Sequence, residues 1–252
     1  MKTKAVIAIS ATLLAATSFS AQAYQIFTGL DTAGGTASTR AGSTNSDAAS
    51  ANFQSFLLGV GTETFESFAA GTVPPIALTF PGAGSATLTG SATIRNQGPG
   101  TNGFGRYPNS GTKFVETTST NFAVNFGANV AAFGFYGMDI GEFGGDLRIT
   151  LNLAGGGSQL FDVPNAVSGQ DGSRLFYGII AQNALEEFTS VVFSDASGSG
   201  ADVFAFDDMT IGSLEQVCQH GCDPSEVPEP ASLGLLMFGM AGLLAARRRK
   251  LV

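Results

Sequence analysis

The adjacent carboxylates Asp207 and Asp208 are the residues whose type and spacing most clearly suggest chemistry. They interrupt a predicted strand that contains four large apolar residues, Phe204, Phe206, Met209 and Ile211. The first two share one face of the strand, and the last two would lie on the opposite face if the strand ran straight. If all four belong to the core, a β-bulge must lie at the two aspartates, and bulges redirect side chains.

A structural calcium ion is one explanation for this pair. Adjacent carboxylates repel each other unless solvent screens them or a cation bridges them. If the first and last strands of the domain pair, Glu66 comes close to Asp207 and Asp208, and three hard oxygen ligands suited to Ca²⁺ converge. Asp139 is an alternative third ligand. The competing interpretation is two solvated acids at the end of a strand.

Cys218 and Cys222 are the only cysteines of the chain, and they enclose Gln219, His220 and Gly221. In an oxidising compartment the expected state of such a pair is a disulfide. A metal site would have only three ligands here, and the spacing is not that of zinc motifs. The sequence therefore predicts a small disulfide at the end of the domain.

Catalysis has little support, because His220 is the only histidine. A Ser-His-Asp triad would require the segment around His220 to fold back over the domain, and metal centres with several histidines are excluded. A glycosidase needs only two carboxylates, but the spacing selects no pair from the candidates Glu66, Glu116, Asp139 and Glu142. We therefore expect that the protein is not an enzyme.

Glycan binding is a stronger alternative, and residues 104–107 are its best candidate loop. Aromatic platforms usually use Trp or Tyr, whose polar tips tolerate water, but the chain has no Trp and four Tyr. Tyr107 is the most promising exposed ring, and the neighbouring Arg106 could hydrogen-bond sugar hydroxyls. The competing interpretation is an ordinary loop tip.

The charge of the chain excludes one class of partner. Six of the 12 basic residues lie at the two ends, so residues 24–230 carry six basic and 20 acidic side chains, a net charge of −14. Such a surface repels phosphate backbones, which argues against nucleic acid as a partner. The Gly-rich stretches also lack the strand–loop–helix context of nucleotide-binding motifs.

A helix and many short strands must position these residues. Residues 24–45 are rich in Gly, Ser, Thr and Ala and are expected to be a loose lead-in. A helix capped by Ser46 and stopped by Gly59 should follow. Four apolar residues would share one face of this helix: Ala49, Phe53, Phe56 and Leu57.

Period-two alternation then predicts strands. It is clearest at residues 147–153, 122–126 and 133–135, and shorter apolar runs indicate further strands at residues 77–80, 86–94, 114–116, 160–163, 175–180, 188–194 and 203–211. Clusters of Gly, Pro and Asn separate these runs. Residues 46–215 are therefore expected to form an antiparallel, jelly-roll-like β-sandwich with a short N-terminal helix.

The N-terminal end has the features of a secretory signal peptide. Lys2 and Lys4 precede a largely apolar run at residues 5–16, and Ala21 and Ala23 form an A-x-A cleavage site. These features predict export and a cleavable signal peptide over residues 1–23.

The C-terminal end combines a tether, an apolar helix and a basic tail. The tether, residues 216–230, ends in Val227, Pro228, Glu229 and Pro230. Residues 231–246 contain no charge and would span about 24 Å as a helix, a little less than a hydrocarbon core of about 30 Å. The tail at residues 247–252 should stay cytoplasmic. It begins with Arg247, Arg248, Arg249 and Lys250.

This C-terminal order resembles the PEP-CTERM sorting signal of Gram-negative bacteria. The resemblance covers residues 227–250 and implies that an exosortase recognises residues 227–230, cuts near them, and releases the protein to the cell surface or the exopolysaccharide matrix of a biofilm. The apolar helix would then be a transient transmembrane anchor. The alternative is a permanent single-pass anchor.

Residues 64–212 are also similar to the β-rich ectodomain common among PEP-CTERM proteins. The ends of this stretch resemble carbohydrate-binding jelly rolls in which a Phe-Glu pair and an Asp-Asp pair flank a structural calcium. We expect a protein of the cell surface or extracellular matrix with a structural or adhesive role associated with exopolysaccharide. A carbohydrate-binding module is the first alternative, and a glycan-active enzyme is the second.

Overall fold

The computed structural model describes residues 24–118, 122–141, 147–164, 171–195, 202–218 and 221–222. The signal peptide, the sorting motif, the apolar helix at residues 231–246 and the basic tail lie outside these residues, as do Glu142 and His220. Within the described part of the chain, no helix combines the length and the apolar character that a membrane span requires.

The described residues form thirteen strands and one α-helix, with two short 3-10 segments at Ala184–Glu186 and Leu214–Gln216. In chain order the elements are β1 (Gln25–Asp31), α1 (Thr44–Gln54), β2 (Thr62–Glu63), β3 (Ile76–Phe80), β4 (Gly84–Thr89), β5 (Ala92–Asn96), β6 (Lys113–Thr117), β7 (Phe122–Val130), β8 (Ala132–Met138), β9 (Leu147–Leu153), β10 (Ser158–Asp162), β11 (Arg174–Ile180), β12 (Phe188–Asp195) and β13 (Phe204–Gly212).

The strands form two antiparallel sheets that pack as a sandwich. The larger sheet has the strand order β1-β11-β8-β13-β6-β5, with β2 added beside β13. The smaller sheet has the order β10-β9-β12-β7-β4-β3. The predicted mainly-β sandwich is therefore confirmed.

Phenylalanine rings fill the space between the sheets. Phe122 of the smaller sheet stacks on Phe206 of the larger sheet with ring centroids 5.5 Å apart, and Phe193 contacts these rings at 4.8 and 4.9 Å. Phe133 and Phe135 complete the cluster, at 6.1 and 5.2 Å from Phe193. Because each ring buries a large apolar area, this cluster explains how a chain without Trp can hold two sheets together.

The helix α1 covers the outer face of the larger sheet. Phe53 of α1 is buried against Phe27 and Phe176, with centroids 5.7 and 5.6 Å apart. Gly134 and Gly178 leave space for this ring, since a Cβ at these positions would lie 2.8 and 2.7 Å from it. The central strands β8, β11 and β13 of the larger sheet are therefore buried on both faces over almost all of their length.

The predicted helix is present, but its ends differ from the prediction. Ser46, the predicted cap, lies inside the helix, where its Oγ donates to Asp31 Oδ2 at 2.6 Å. The N-cap position belongs to Ser43, and the helix ends at Gln54, before the predicted stop at Gly59. The start of the helix differs because of a tertiary contact. The carboxylate of Asp31 accepts two backbone N–H groups of the first turn and thereby replaces a local side-chain cap.

Two predictions about strands are wrong. Residues 24–45 are not wholly a loose lead-in, because β1 is an edge strand paired with β11, and its single buried ring, Phe27, gives too short an alternation to detect. Residues 86–94 do not form one strand, because β4 and β5 belong to different sheets. The chain turns between them at Gly90, whose φ is +97°. The two-residue strand β2 has no counterpart in the prediction.

Candidate functional site

The predicted metal and glycan residues meet at one loop, residues 97–112, which joins β5 to β6. Arg106 and Tyr107 belong to this loop, and Glu66, Asp207 and Asp208 hydrogen-bond to it. The loop packs on the outer face of the larger sheet, since Tyr107 belongs to the same buried cluster as the apolar residues of α1.

The predicted bulge is present at Asp207 and Asp208. β13 pairs with β8 on both sides of the aspartates, but the register shifts between Asp207 and Thr210, and Asp208 has a φ of +47°. The four apolar residues around the bulge are all buried. The parity argument from the sequence is therefore confirmed.

Both aspartates hold the loop in place. Asp207 Oδ2 accepts the backbone N–H groups of Asn109 and Ser110 at 2.8 and 3.1 Å. Asp208 accepts the side chains of the same two residues at 2.6 and 2.7 Å. Burial raises the pKa of Asp207 well above its usual value, and the charge of Asp208 adds to this effect.

Glu66 holds the C-terminal end of the loop. Its Oε1 accepts the backbone N–H of Thr112 at 2.7 Å and that of Lys113. Burial acts to raise the pKa of Glu66, but these hydrogen bonds outweigh burial, and the pKa is lowered. Gly111 permits the close approach, because a Cβ there would lie 2.5 Å from the carboxyl carbon of Glu66.

This arrangement does not fit the predicted calcium site. The three carboxylates direct their oxygens at N–H and O–H donors of the loop, with which a cation would have to compete. Among the described residues, no three His, Cys, Asp or Glu side chains form a group that could hold a metal ion. Asp139, the alternative ligand, instead forms an ion pair with Arg106 and accepts the N–H of Gly172.

Tyr107 is not the exposed platform that the sequence predicted. It is 2% exposed, its hydroxyl donates to Gly172 O at 3.1 Å, and the guanidinium of Arg40 lies 4.7 Å from its ring centroid. Burial raises the pKa of Tyr107 to about 12. The prediction is wrong because a ring enclosed by the protein cannot stack on a ligand.

Phe104 is the exposed ring of the loop. It is 65% exposed, and the guanidinium of Arg106 lies 5.5 Å from its ring centroid. Gly103 and Gly105, on either side of it, have φ values of +86° and +77°. Asn102 Oδ1 accepts the N–H groups of Phe104 and Arg106 at 3.0 and 3.2 Å. The backbone that presents the ring is therefore well specified.

Arg106 is fixed by two carboxylates. Its Nε donates to Glu116 Oε2 at 2.9 Å, and its Nη1 donates to Asp139 Oδ2 at 3.3 Å. Arg95 Nε donates to the other oxygen of Glu116 at 2.8 Å. Glu116 therefore bridges two arginines, and such a network orders long side chains better than an isolated surface pair does.

These side chains line a cleft of about 400 Å³, the Phe104 cleft. Its lining residues are Phe104, Phe114, Arg95, Arg106, Asn96, Gln97, Asn102 and Glu116. Phe114 is fully buried, so Phe104 supplies the exposed ring of the cleft. Apolar surface with a few fixed polar groups is the general composition of ligand sites. This cleft suits a ligand that has both apolar C–H faces and many hydroxyl groups.

Cys218 and Cys222 are joined by a disulfide, the pairing that the sequence predicted, with their Cα atoms 5.2 Å apart. The disulfide segment is fastened to the residues that follow α1. The N–H of Cys218 donates to Phe56 O at 2.8 Å, and the N–H of Cys222 donates to Ser55 O at 2.7 Å. The end of the described chain is therefore held at the C-terminal end of the helix.

Beyond this disulfide, residues 226–250 match the PEP-CTERM protein-sorting motif. The chain carries a PEP-CTERM sorting signal. This match agrees with the resemblance seen in the sequence, and the PEP-CTERM signal marks the chain as an exported protein processed by an exosortase. No curated protein matches the chain.

Solved structures similar to this chain include an adhesin domain and carbohydrate-binding modules. The K2 cleaved adhesin domain of Lys-gingipain is 15% identical, with 60% of this chain and 97% of that chain covered and a TM-score of 0.37. The C-terminal family 22 carbohydrate-binding module of Clostridium thermocellum Xyn10B is 13% identical, with 64% and 98% covered and a TM-score of 0.37. The CBM22-1 xylan-binding domain of Paenibacillus barcinonensis Xyn10C is 15% identical, with 60% and 91% covered and a TM-score of 0.34. Similarity at this level carries no argument about function.

Proposed function

We propose that this exported protein binds polysaccharide through the Phe104 cleft, as a structural or adhesive component of the cell surface or extracellular matrix. The observation that carries the proposal is an exposed ring, Phe104, held beside Arg106 by a fixed loop. Because the loop is already ordered by hydrogen bonds and ion pairs, little conformational entropy is lost when a ligand binds.

The chemistry of the cleft favours a glycan. A sugar ring has an apolar C–H face, which can pack on Phe104, and equatorial hydroxyl groups, which can bond to guanidinium and amide groups. Arg95 and the amides of Asn96 and Gln97 supply such groups around the ring. A nucleic acid is disfavoured because residues 24–230 carry a net charge of −14.

We propose that the protein does not act on this glycan. Hydrolysis of a glycosidic bond generally uses a pair of carboxyl groups on opposite sides of the bond. Of the described residues that line the Phe104 cleft, Glu116 alone is acidic, and both of its oxygens are engaged by arginines. A binding role requires neither a second acid nor a free one.

The sorting signal supports the proposed location. An exosortase substrate leaves the cytoplasm before it is processed, so its folded domain meets extracellular polymers rather than cytoplasmic metabolites. A cleft with an exposed aromatic ring is then placed where polysaccharide is available. The sorting signal and the chemistry of the cleft are independent of each other, and both support the proposed role.

Binding of the mature protein to a panel of purified bacterial exopolysaccharides, measured by affinity electrophoresis, tests the proposal. We expect Phe104→Ala to weaken binding at least about tenfold, equivalent to about 1.4 kcal/mol. Leu185→Ala is the matched control, because Leu185 is another exposed apolar side chain, 71% exposed, and its removal should leave binding unchanged. Failure to bind any polysaccharide, or equal binding by Phe104→Ala and the wild type, would contradict the proposal.

A further inference from the structure

We infer that the binding site extends past the Phe104 cleft into a second cleft, and that the two together form one groove for the interior of a linear polysaccharide chain. This inference rests on the proposed function and specifies its ligand. The second cleft has a volume of about 430 Å³ and lies beside the start of β5. It is named here the Ser91 cleft, and its lining includes Val73, Ser91, Thr93 and Thr117.

The two clefts adjoin each other at one ion pair. Arg95 and Glu116 line both the Ser91 cleft and the Phe104 cleft. Arg95 Nε donates to Glu116 Oε1 at 2.8 Å, so this pair lies between the two clefts and borders both. A ligand longer than one cleft would therefore cross Arg95 and Glu116.

The groove follows the edge strand β5. Thr93 lines only the Ser91 cleft, Arg95 lines both clefts, and Gln97 lines only the Phe104 cleft. Side chains two residues apart on a strand share a face and lie about 6.6 Å apart. Gln97 directly follows the last residue of β5, so the order Thr93, Arg95, Gln97 leads along β5 from the Ser91 cleft to the Phe104 cleft.

Each cleft has its own exposed apolar side chain. Phe104 is 65% exposed in one cleft, and Val73 is 58% exposed in the other. Hydroxyl groups of Ser91 and Thr93 accompany Val73, as amides accompany Phe104. The combination of an apolar surface and hydrogen-bonding groups is thus repeated on both sides of the ion pair, which is the arrangement expected for a repeating ligand.

Arg95 is the contact that such a chain would meet at the centre of the groove. Its side chain is 52% exposed. Among the described residues, its hydrogen bonding is limited to Nε, which donates to Glu116. The two terminal amino groups of the guanidinium therefore remain to donate to ligand oxygens, and the pairing with Glu116 keeps the side chain in the groove.

A length series of oligosaccharides tests this inference. Cello-oligosaccharides and galacturono-oligosaccharides, from the disaccharide to the octasaccharide, represent neutral and acidic linear chains, and calorimetry gives their affinities for the mature protein. We expect the affinity for the preferred series to rise at least about tenfold from the disaccharide to the hexasaccharide, because longer chains contact both clefts.

Ser91→Tyr should fill the second cleft. Ser91 is exposed, and its backbone carbonyl, which Thr117 bonds, is retained. The variant should lose the gain with length while its disaccharide affinity stays within about twofold of the wild type. Val73→Ala, a milder change, should weaken only the longer chains. Ser158→Tyr places the same ring at an exposed position on β10 and should change nothing.

The two proposals fail in different ways. Affinity that does not depend on chain length, or a gain with length that persists in both Ser91→Tyr and Val73→Ala, would overturn the continuous groove and leave the Phe104 cleft as the site. A disaccharide affinity that Phe104→Ala does not weaken would overturn the proposed function itself. Absence of binding to both series and to the polysaccharide panel would overturn both.

Discussion

Asp207 holds the loop at residues 97–112 through hydrogen bonds, although its burial disfavours a charged carboxylate. Its carboxylate accepts N–H groups from Asn109, Ser110 and Asp208, yet burial and the neighbouring charge of Asp208 raise its pKa. The folded protein therefore binds a proton at Asp207 more tightly than the unfolded chain does. The sequence identified this residue because of the parity change, but it could not show that backbone N–H groups, rather than a cation, would occupy the carboxylate.

The raised pKa of Asp207 predicts a pH dependence of stability. In the unfolded chain an aspartate carboxyl has a pKa of about 4. The stability that Asp207 contributes is fully present below this pKa and is lost as the pH rises through the higher pKa of the folded state. We expect Asp207→Asn, measured by thermal unfolding from about pH 4 to about pH 7, to show a smaller fall in Tm with pH than the wild type.

Glu215→Gln provides the control for this measurement, because Glu215 is exposed and belongs to none of the ion pairs among the described residues. Its pH profile should follow that of the wild type. Parallel profiles for Asp207→Asn and the wild type would show that Asp207 is not the group responsible.

The loop that contains Phe104 and Tyr107 also shows that local sequence does not reveal which side chains the fold buries. Residues 104–107 could be selected from the sequence because Tyr107 lies beside Arg106, but the exposed ring of this loop is Phe104. The polar tip of Tyr107 finds an acceptor at Gly172 O, 65 residues away, and only the fold brings that acceptor into reach. Nothing in the local pattern distinguishes the ring that is enclosed from the ring that is left outside.

Individual strands were predictable where one face is clearly apolar and the other clearly polar. β9 alternates buried and more exposed residues over most of its length, and its predicted and observed bounds agree. β8 is buried at every position, because α1 covers the face that would otherwise meet solvent. β1 was not predicted, because it becomes a strand by pairing with β11, which lies about 150 residues away in the chain.

The packing of α1 against Gly134 and Gly178 gives a testable prediction about how the helix is held on the sheet. A Cβ at Gly178 would lie 2.7 Å from the Phe53 ring, so Gly178→Ala must displace either the ring or the helix. Overpacking of this kind costs about 1–3 kcal/mol, and we expect a loss of that size in the free energy of unfolding measured with denaturant.

Gly155→Ala is the matched control, since no atom lies within 4 Å of a Cβ placed there. It should change the free energy of unfolding by less than about 0.5 kcal/mol. The double variant Gly178→Ala with Phe53→Leu should recover part of the loss, because the shorter side chain relieves the clash. Additive losses would show that the ring is not what the new methyl group meets.

At the scale of the whole molecule, charge is unevenly distributed around the candidate site. Residues 24–230 contain six basic side chains. Five of them form hydrogen bonds within, or to, the loop at residues 97–112 and its flanking strands β5 and β6: Arg40, Arg95, Arg106, Lys113 and Arg174. The rest of the domain is strongly acidic. A surface with this net negative charge repels other copies of itself and most anionic polymers.

The sorting signal predicts the composition of the mature protein. Mass spectrometry of protein recovered from cells should show a C-terminus near residues 227–230, without the apolar and basic residues that follow. Replacing the glutamate of the motif, Glu229→Ala, should leave the full-length tail on the recovered protein, whereas Glu215→Ala, outside the motif, should not. Mature wild-type protein that still ends at residue 252 would show that the tail is a permanent anchor.

The disulfide at Cys218 and Cys222 has a consequence for the timing of these events. Because it secures the last described residues to the segment after α1, a cut at residues 227–230 removes no residue on which the described sandwich depends. Maturation would therefore change where the domain is, without changing its shape. The domain could therefore fold and form its disulfide while still attached to the cell. If it binds polysaccharide as proposed, processing would release the domain together with its bound polymer.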